Sequence, residues 1–276
     1  MKKTIGLITL LLLLLSIPSF TQVFTVYPEK EIGQAEIIVT YNQTFQQDSL
    51  NPRKRQEKMT LLIGKNTSSF FNESTERFRK AAQRFSTAAE LNDFVSDPAN
   101  NIRFGLSRYR IFKNYPEGKI TTKDHFPSDY YLYSENLKLF DWKLSGETDS
   151  ILGYKVQKAT TNFAGRDWVA WFTPEIPYND GPYKFNGLPG LILKIHDTRN
   201  HYLFEAVLLE KPGEEIPIYF TERSYITTTK EGFFRAWNSF RESIYGRSDI
   251  LPEGHSRNII GDNLRRHNNP IELIAE

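Results

Sequence analysis

Segments that alternate apolar and polar residues recur along this chain around short turns, and this period of two constrains the fold more than any other feature. Ala35, Ile37, Val39 and Tyr41 alternate with Glu36, Ile38 and Thr40, and Met59 to Ile63 is a second strand candidate. Arg108 to Asn114 and Lys119 to Thr122 flank the turn-like Tyr115-Pro116-Glu117-Gly118, and a further candidate covers Tyr130 to Ser134. Ile151 to Phe163 and Arg166 to Phe172 flank Ala164-Gly165, with Trp168, Ala170 and Phe172 opposite Asp167, Val169 and Trp171. Leu191 to His196 and Tyr202 to Leu209 flank Asp197 to Asn200 in the same way. Strands joined by turns this short pair antiparallel, so a meandering antiparallel sheet is expected.

Helical spacing is confined to two regions. Phe78, Ala82, Phe85, Ala89 and Phe94 fall near a 3.6-residue period between Glu73 and Val95, as one helix or two short ones, after a turn at Asn66 to Ser69 and before Asp97-Pro98. Near the C-terminus Thr228 and Glu231 have capping-box spacing, and Phe233, Trp237, Phe240 and Ile244 then follow one helical face. The expected fold is mainly β within the α+β class: a curved antiparallel sheet or half-barrel with a C-terminal helix and a helical insertion.

The first 21 residues differ from the rest. Lys2 and Lys3 precede an apolar run from Ile5 to Leu15, and Pro18, Ser19 and Thr21 follow. This is a signal-peptide pattern with cleavage expected before Gln22, which leaves about 255 residues. Residues 22–245 read as one β-rich domain and 246–276 as an extended, partly docked tail. The run is too short to span a bilayer. The formal charge of +2 comes from Lys2 and Lys3, so the remaining chain is near neutral and nucleic acid is not an expected partner. With no cysteine, disulfides, thiolate metal sites, a cysteine nucleophile and a lipoprotein anchor are all excluded.

Pro174 to Gly190 carries four prolines and three glycines in seventeen residues between two strands. A loop of that length is uncommon in a compact domain and is often functional or a structural strap. Pro189 and Gly190 suit the central positions of a type II turn, because proline presets one φ and glycine accepts the positive one that follows. Gly187, Pro189 and Gly190 are therefore assigned turn-forming roles.

Within this segment Asp180-Gly181-Pro182-Tyr183-Lys184-Phe185 and Gly187-Leu188-Pro189-Gly190-Leu191-Ile192 resemble the signature of the GLPGLI family, exported proteins of Gram-negative bacteria without an established biochemical function. The resemblance extends to Lys113 to Pro116, Gly153-Tyr154, Lys158 to Thr160, Gly165-Arg166, Trp171 to Thr173, Ile176-Pro177 and Asn269 to Leu273. It implies export and an architecture, and it supplies no catalytic residues. Family members often carry a cysteine near the position of Val156, and its absence here argues against an essential thiol.

No metalloprotease, serine-hydrolase or phosphate-loop motif is present. His196 and His201 bracket the Asp197 to Asn200 turn and would meet across a hairpin with Asp197 as a third ligand. A metal site needs three or four converging ligands, though, and only a local pair is visible, so no metal and no cofactor are expected. Arg166, Glu175 and Asp180 are candidates for an ion-pair cluster around the proline-rich segment. Trp171, Tyr178, Tyr183 and Lys184 are the candidate ligand-binding residues, an aromatic platform where that segment meets the Arg166 to Phe172 strand; core packing is the competing role for the aromatics.

The expected function is a noncatalytic binding or envelope-accessory protein, periplasmic or secreted, whose partner is a peptide, glycan, lipid or envelope protein. The alternatives are a carrier with an apolar cavity and a hydrolase with an unrecognised acid and histidine site.

Overall fold

The computed structural model describes residues 27–85, 87–100, 105–126, 129–247 and 268–273. The expected leader at 1–21 and most of the expected 246–276 tail, including Ile259, Ile260 and Leu264, lie outside the described residues.

The chain begins with β1 (Glu29–Phe45), returns as β2 (Arg55–Gly64) and β3 (Ser68–Asn72), and then leaves the sheet for α1 (Glu73–Ala82) and α2 (Ala88–Ser96). It resumes with β4 (Arg110–Lys113), β5 (Lys119–Phe126), β6 (Asp129–Asn136), β7 (Lys143–Ile151), β8 (Tyr154–Phe163), β9 (Arg166–Thr173), β10 (Leu191–Asp197) and β11 (Tyr202–Glu210). The short strands β12 (Pro217–Thr221) and β13 (Ile226–Thr227) precede α3 (Lys230–Arg247). The sheet order is β13-β6-β5-β4-β3-β2-β1-β11-β10-β9-β8-β7, with β12 pairing β1. Among the strand pairings of the described residues only β13 with β6 is parallel.

Two antiparallel meanders, β1 to β6 and β7 to β11, are joined where β1 pairs β11. This order forces curvature. From β6 to β7 the sheet spans ten inter-strand steps, about 48 Å if flat, whereas the link from Asn136 to Lys143 reaches only about 25 Å fully extended. The sheet must curl, and Leu137, Leu139, Phe140 and Trp142 of that link pack on the main core. The expected mainly β, curved antiparallel architecture is what the chain adopts.

Alternation produces the core. In β9 Trp168, Ala170 and Phe172 are buried while Asp167, Val169 and Trp171 are not, so one face joins a cluster with Tyr41, Phe70, Ile111, Ile120 and Phe204. On the other face, Leu62, Phe71 and Ile218 form a smaller cluster. Phe233 of α3 packs on Phe126, Tyr131 and Tyr133, attaching the helix to β5 and β6.

The structure corrects several local expectations. Strand β3 begins at Ser68, so the turn expected at 66–69 lies one or two residues earlier. Ile151 ends a separate strand, β7, which is almost wholly exposed and so shows no apolar alternation. The helical insertion is two helices, α2 being capped by a Thr87–Glu90 box. At α3 the cap is Thr229, whose hydroxyl accepts from the Gly232 N–H at 3.1 Å. Thr228 instead donates its N–H to Leu132 O and continues the β13–β6 pairing. The side chain of Ile244 is outside the described residues.

Candidate functional site

The proline-rich segment between β9 and β10 is built into the core. Tyr183, Lys184, Phe185 and Leu188 are all buried, and Phe185 packs on Trp168 with ring centroids 4.7 Å apart. Lys184 Nζ pairs with Glu272 Oε1 at 2.5 Å and with Glu135, and both Lys184 and Glu272 side chains are fully buried. Lys230 Nζ of α3 adds contacts of 3.0 Å to Glu135 and 3.5 Å to Glu272. Tyr183 donates its hydroxyl to Glu272 Oε1 at 2.6 Å. Burial alone would lower the Lys184 pKa, but Glu272, Tyr133 and Glu135 outweigh it and hold the amine charged. Burial alone would likewise raise Glu272, and Lys184 instead pulls it below the usual carboxylate range.

Two more buried interactions tie the segment and the C-terminal residues down. Lys113 Nζ meets Asp180 at 2.5 Å and donates to Tyr183 O at 3.1 Å. Arg166 pairs with Asp197 at 2.8 Å and donates to Asn269 Oδ1 at 2.6 Å, Pro270 O at 2.7 Å and Ile271 O at 3.0 Å. Asn269 in turn donates to Gln46 O and accepts from the Tyr202 hydroxyl. Charged side chains at this depth require such complete pairing.

Gly187 and Gly190 have φ of +91° and +140°. The type II expectation at Pro189-Gly190 is corrected: the Gly190 N–H bonds to Leu188 O at 2.8 Å, a three-residue turn, and the Leu191 N–H goes to Ile176 O at 3.1 Å. A Cβ on Gly190 would stand 2.1 Å from Thr173 O, so the backbone approach adds to the requirement for glycine.

The expected aromatic platform does not assemble. Tyr183 and Lys184 are interior, which corrects their assignment to a presented surface. Tyr178 is half-buried and donates its hydroxyl to Glu36 at 3.0 Å. Trp171 is half-buried on the face of β9 opposite Trp168 and packs in part against the main core. Arg166, Glu175 and Asp180 form no common cluster, because Arg166 pairs with Asp197, Asp180 with Lys113, and Glu175 accepts from the Lys155 N–H. The His196 ring bonds to Asp197 O and the His201 ring meets Arg166. Among the described residues, no group of three histidines or carboxylates is placed to hold a metal.

Sequence reasoning missed a cavity of about 850 Å³ between α1, the β3–β5 region and the residues around β12. Phe71, Phe78, Arg110, Lys123, Arg223 and Tyr225 are among its lining residues. Glu76 accepts from Arg79 and Arg110 at 2.7 and 3.0 Å, and Arg79 also pairs with Glu29. Burial would raise the Glu76 pKa, but the Arg79 hydrogen bond and the charges of Arg110 and Arg79 carry it down to about 2. Lys123 Nζ lies 3.3 Å from the Phe220 ring centroid and donates to Thr221 O at 2.9 Å. Burial, then Arg110, lowers its pKa to about 6. Arg223 stacks over Tyr130 at 3.1 Å and donates from Nη2 to the Tyr27 hydroxyl at 3.2 Å, and its buried Nε has no hydrogen-bond partner among the described residues. The available sequence signal was weak: Arg110 on an expected strand and Lys123 just past the end of another, basic residues that ordinarily mark a solvated face.

Asp124 and His125 also line this cavity. Burial raises Asp124 to about 6 and lowers His125 to about 4. They are successive residues of β5, and Asp124 accepts from the His125 backbone N–H at 2.7 Å rather than from its ring, which is not the geometry of an acid–histidine dyad.

No curated protein matches the chain. A solved structure of PNGF-II in a P21 crystal form is similar at TM-score 0.51 and 17% identity, covering 72% of this chain and 33% of that one. A second PNGF-II structure, in a C2 form, aligns at TM-score 0.46 and 18% identity over 71% of this chain and 31% of that one. The chain thus spans about a third of the length of the PNGF-II chains, and at this identity the likeness concerns the fold alone. Over residues 163–194, the hairpin and signature segment described above, the chain matches the family model described as "Protein of unknown function (Porph_ging)", a GLPGLI-type family.

Proposed function

We propose a noncatalytic binding protein, exported by the leader at residues 1–21 and periplasmic or secreted, that holds a small ligand in the cavity beside α1. On this reading the signature segment is the scaffold. The observation that carries it is a contrast in polar satisfaction. The cations of the signature region, Lys113, Arg166 and Lys184, each have a carboxylate at 2.8 Å or closer, while the cavity keeps Lys123 without an ion pair and Arg223 Nε without a hydrogen-bond partner among the described residues. Its volume lies in the range of small-molecule sites. The carrier alternative uses the same cavity, but the basic lining argues against a wholly apolar cargo.

Native mass spectrometry of protein purified from its own envelope tests this reading. A bound species that is lost in Ala82→Trp, which fills the cavity from α1, would support it. A ligand-free wild type, or a species retained by that variant, would overturn it. N-terminal sequencing of the same sample is expected to start at Gln22, and an intact Met1 would remove the export component.

A further inference from the structure

The charge around the cavity is unbalanced. Among the lining residues Arg79, Arg108, Arg110, Lys123 and Arg223 are basic, against Glu76 and Asp124. Glu76 is engaged by Arg79 and Arg110, and Glu29 is engaged by Arg79. No carboxylate among the described residues is within ion-pair distance of Lys123 or Arg223. Lys123 is buried and its neighbour Arg223 is partly buried, so water screens their repulsion less than it would at an open surface. Lys123 and Arg223 line the same cavity without a carboxylate at ion-pair distance among the described residues, and an anion between them would give Arg223 a counter-ion and favour the ammonium form of Lys123. Part of the remaining wall is apolar, with Phe71 buried beneath the Arg110 guanidinium and Phe78 and Ala82 contributed by α1. Asn72, Thr75, Gln83 and Thr221 add polar groups.

We propose that this cavity binds a small organic anion, with the anionic group between Lys123 and Arg223 and an apolar body against Phe71 and Phe78. This rests on the binding reading above and adds the ligand class. An inorganic anion would leave the aromatic wall unfilled, and a neutral apolar molecule would leave Arg223 without a counter-ion. The size limits the occupant to a small molecule rather than a polymer. Lys123 takes up a proton as the anion enters, because the anion favours the ammonium form.

Fluorescence titration with two probes tests the assignment: anilinonaphthalenesulfonate, an aromatic anion, and phenylnaphthylamine, the same ring system without the sulfonate. The full chain is expected to bind the anionic probe about tenfold more tightly. Lys123→Met and Arg223→Gln are expected to abolish that preference while moving the affinity of the neutral probe less than about twofold. Arg223 is partly exposed, so its variant serves if the Lys123 variant fails to fold, and near-ultraviolet circular dichroism checks each. If both probes bind equally, or if the anionic preference survives both substitutions, the anion assignment is overturned while binding in the cavity stands. If neither probe binds, the binding reading falls with it.

Discussion

Lys184 and Glu272 lie 88 residues apart in the chain and form a 2.5 Å ion pair in which neither side chain is accessible to solvent. The pair joins the middle of the signature segment to the C-terminal residues. Glu135 of β6 and Lys230 of α3 complete it, so four separate elements meet at one charge cluster. Such a cluster is costly to bury and costly to break, which makes it a determinant of how these elements dock.

Removing one member leaves the others buried and uncompensated. Lys184→Met is expected to destabilise the fold by about 3 to 5 kcal/mol, measured by urea denaturation. A midpoint unchanged from wild type would mean that the cluster is hydrated.

Gly190→Val is expected to cost more than about 3 kcal/mol, above the ordinary cost of a strained backbone position. Its Cβ would meet Thr173 O at 2.1 Å, and the clash adds to the positive φ. Gly190→Ala should already be destabilising for the same reason. Thermal unfolding of both variants measures it, and wild-type stability in Gly190→Ala would contradict the close approach.

Tyr183→Ala and Trp171→Ala are expected to separate. Tyr183 is buried and bonded to Glu272, so its truncation should cost about 3 to 5 kcal/mol, whereas half-exposed Trp171 should cost less than half as much. Equal losses in chemical denaturation would place both rings in the core.

Glu76 has its pKa lowered from 4.5 to about 2 in the folded protein. A depressed carboxylate contributes stability that is present above the unfolded pKa and lost as pH falls through the folded one. Glu76→Gln should therefore lose stability on the order of 3 kcal/mol at neutral pH, and the difference from wild type should vanish near pH 2. A difference independent of pH would show that the loss is one of packing.

Lys123 carries the opposite consequence. Its amine is lowered from 10.5 to about 6 by burial, with Arg110, Arg79 and Arg223 adding to the shift and Glu29 opposing it. Between those values the unfolded chain binds a proton that the folded chain does not, so stability attributable to this group rises with pH across the window. Lys123→Met removes this dependence and is expected to be more stable than wild type near pH 7, with the gain shrinking toward pH 10. Urea melts across that range measure it, and a constant difference would place the amine in water.

Local pattern determined a large part of this protein. Period-two alternation in Arg166 to Phe172 identifies a strand, since a pleated strand facing a core repeats every two residues whatever surrounds it. The spacing of Phe233, Trp237 and Phe240 identifies α3 equally well. Where local pattern is missing, so was the element: β7 is exposed on nearly all its length and shows no apolar alternation. Only the tertiary structure decided the fate of Lys184. A lysine between Tyr183 and Phe185 in a proline-rich segment reads as a presented charge, but Glu135 and Glu272 reach it from distant parts of the chain and make burial tolerable. The cavity was equally invisible, because its walls come from α1, the middle strands and the residues around β12. Secondary structure follows from neighbours in sequence, whereas the burial of a charge and the enclosure of a void depend on groups brought together by curvature of the whole sheet.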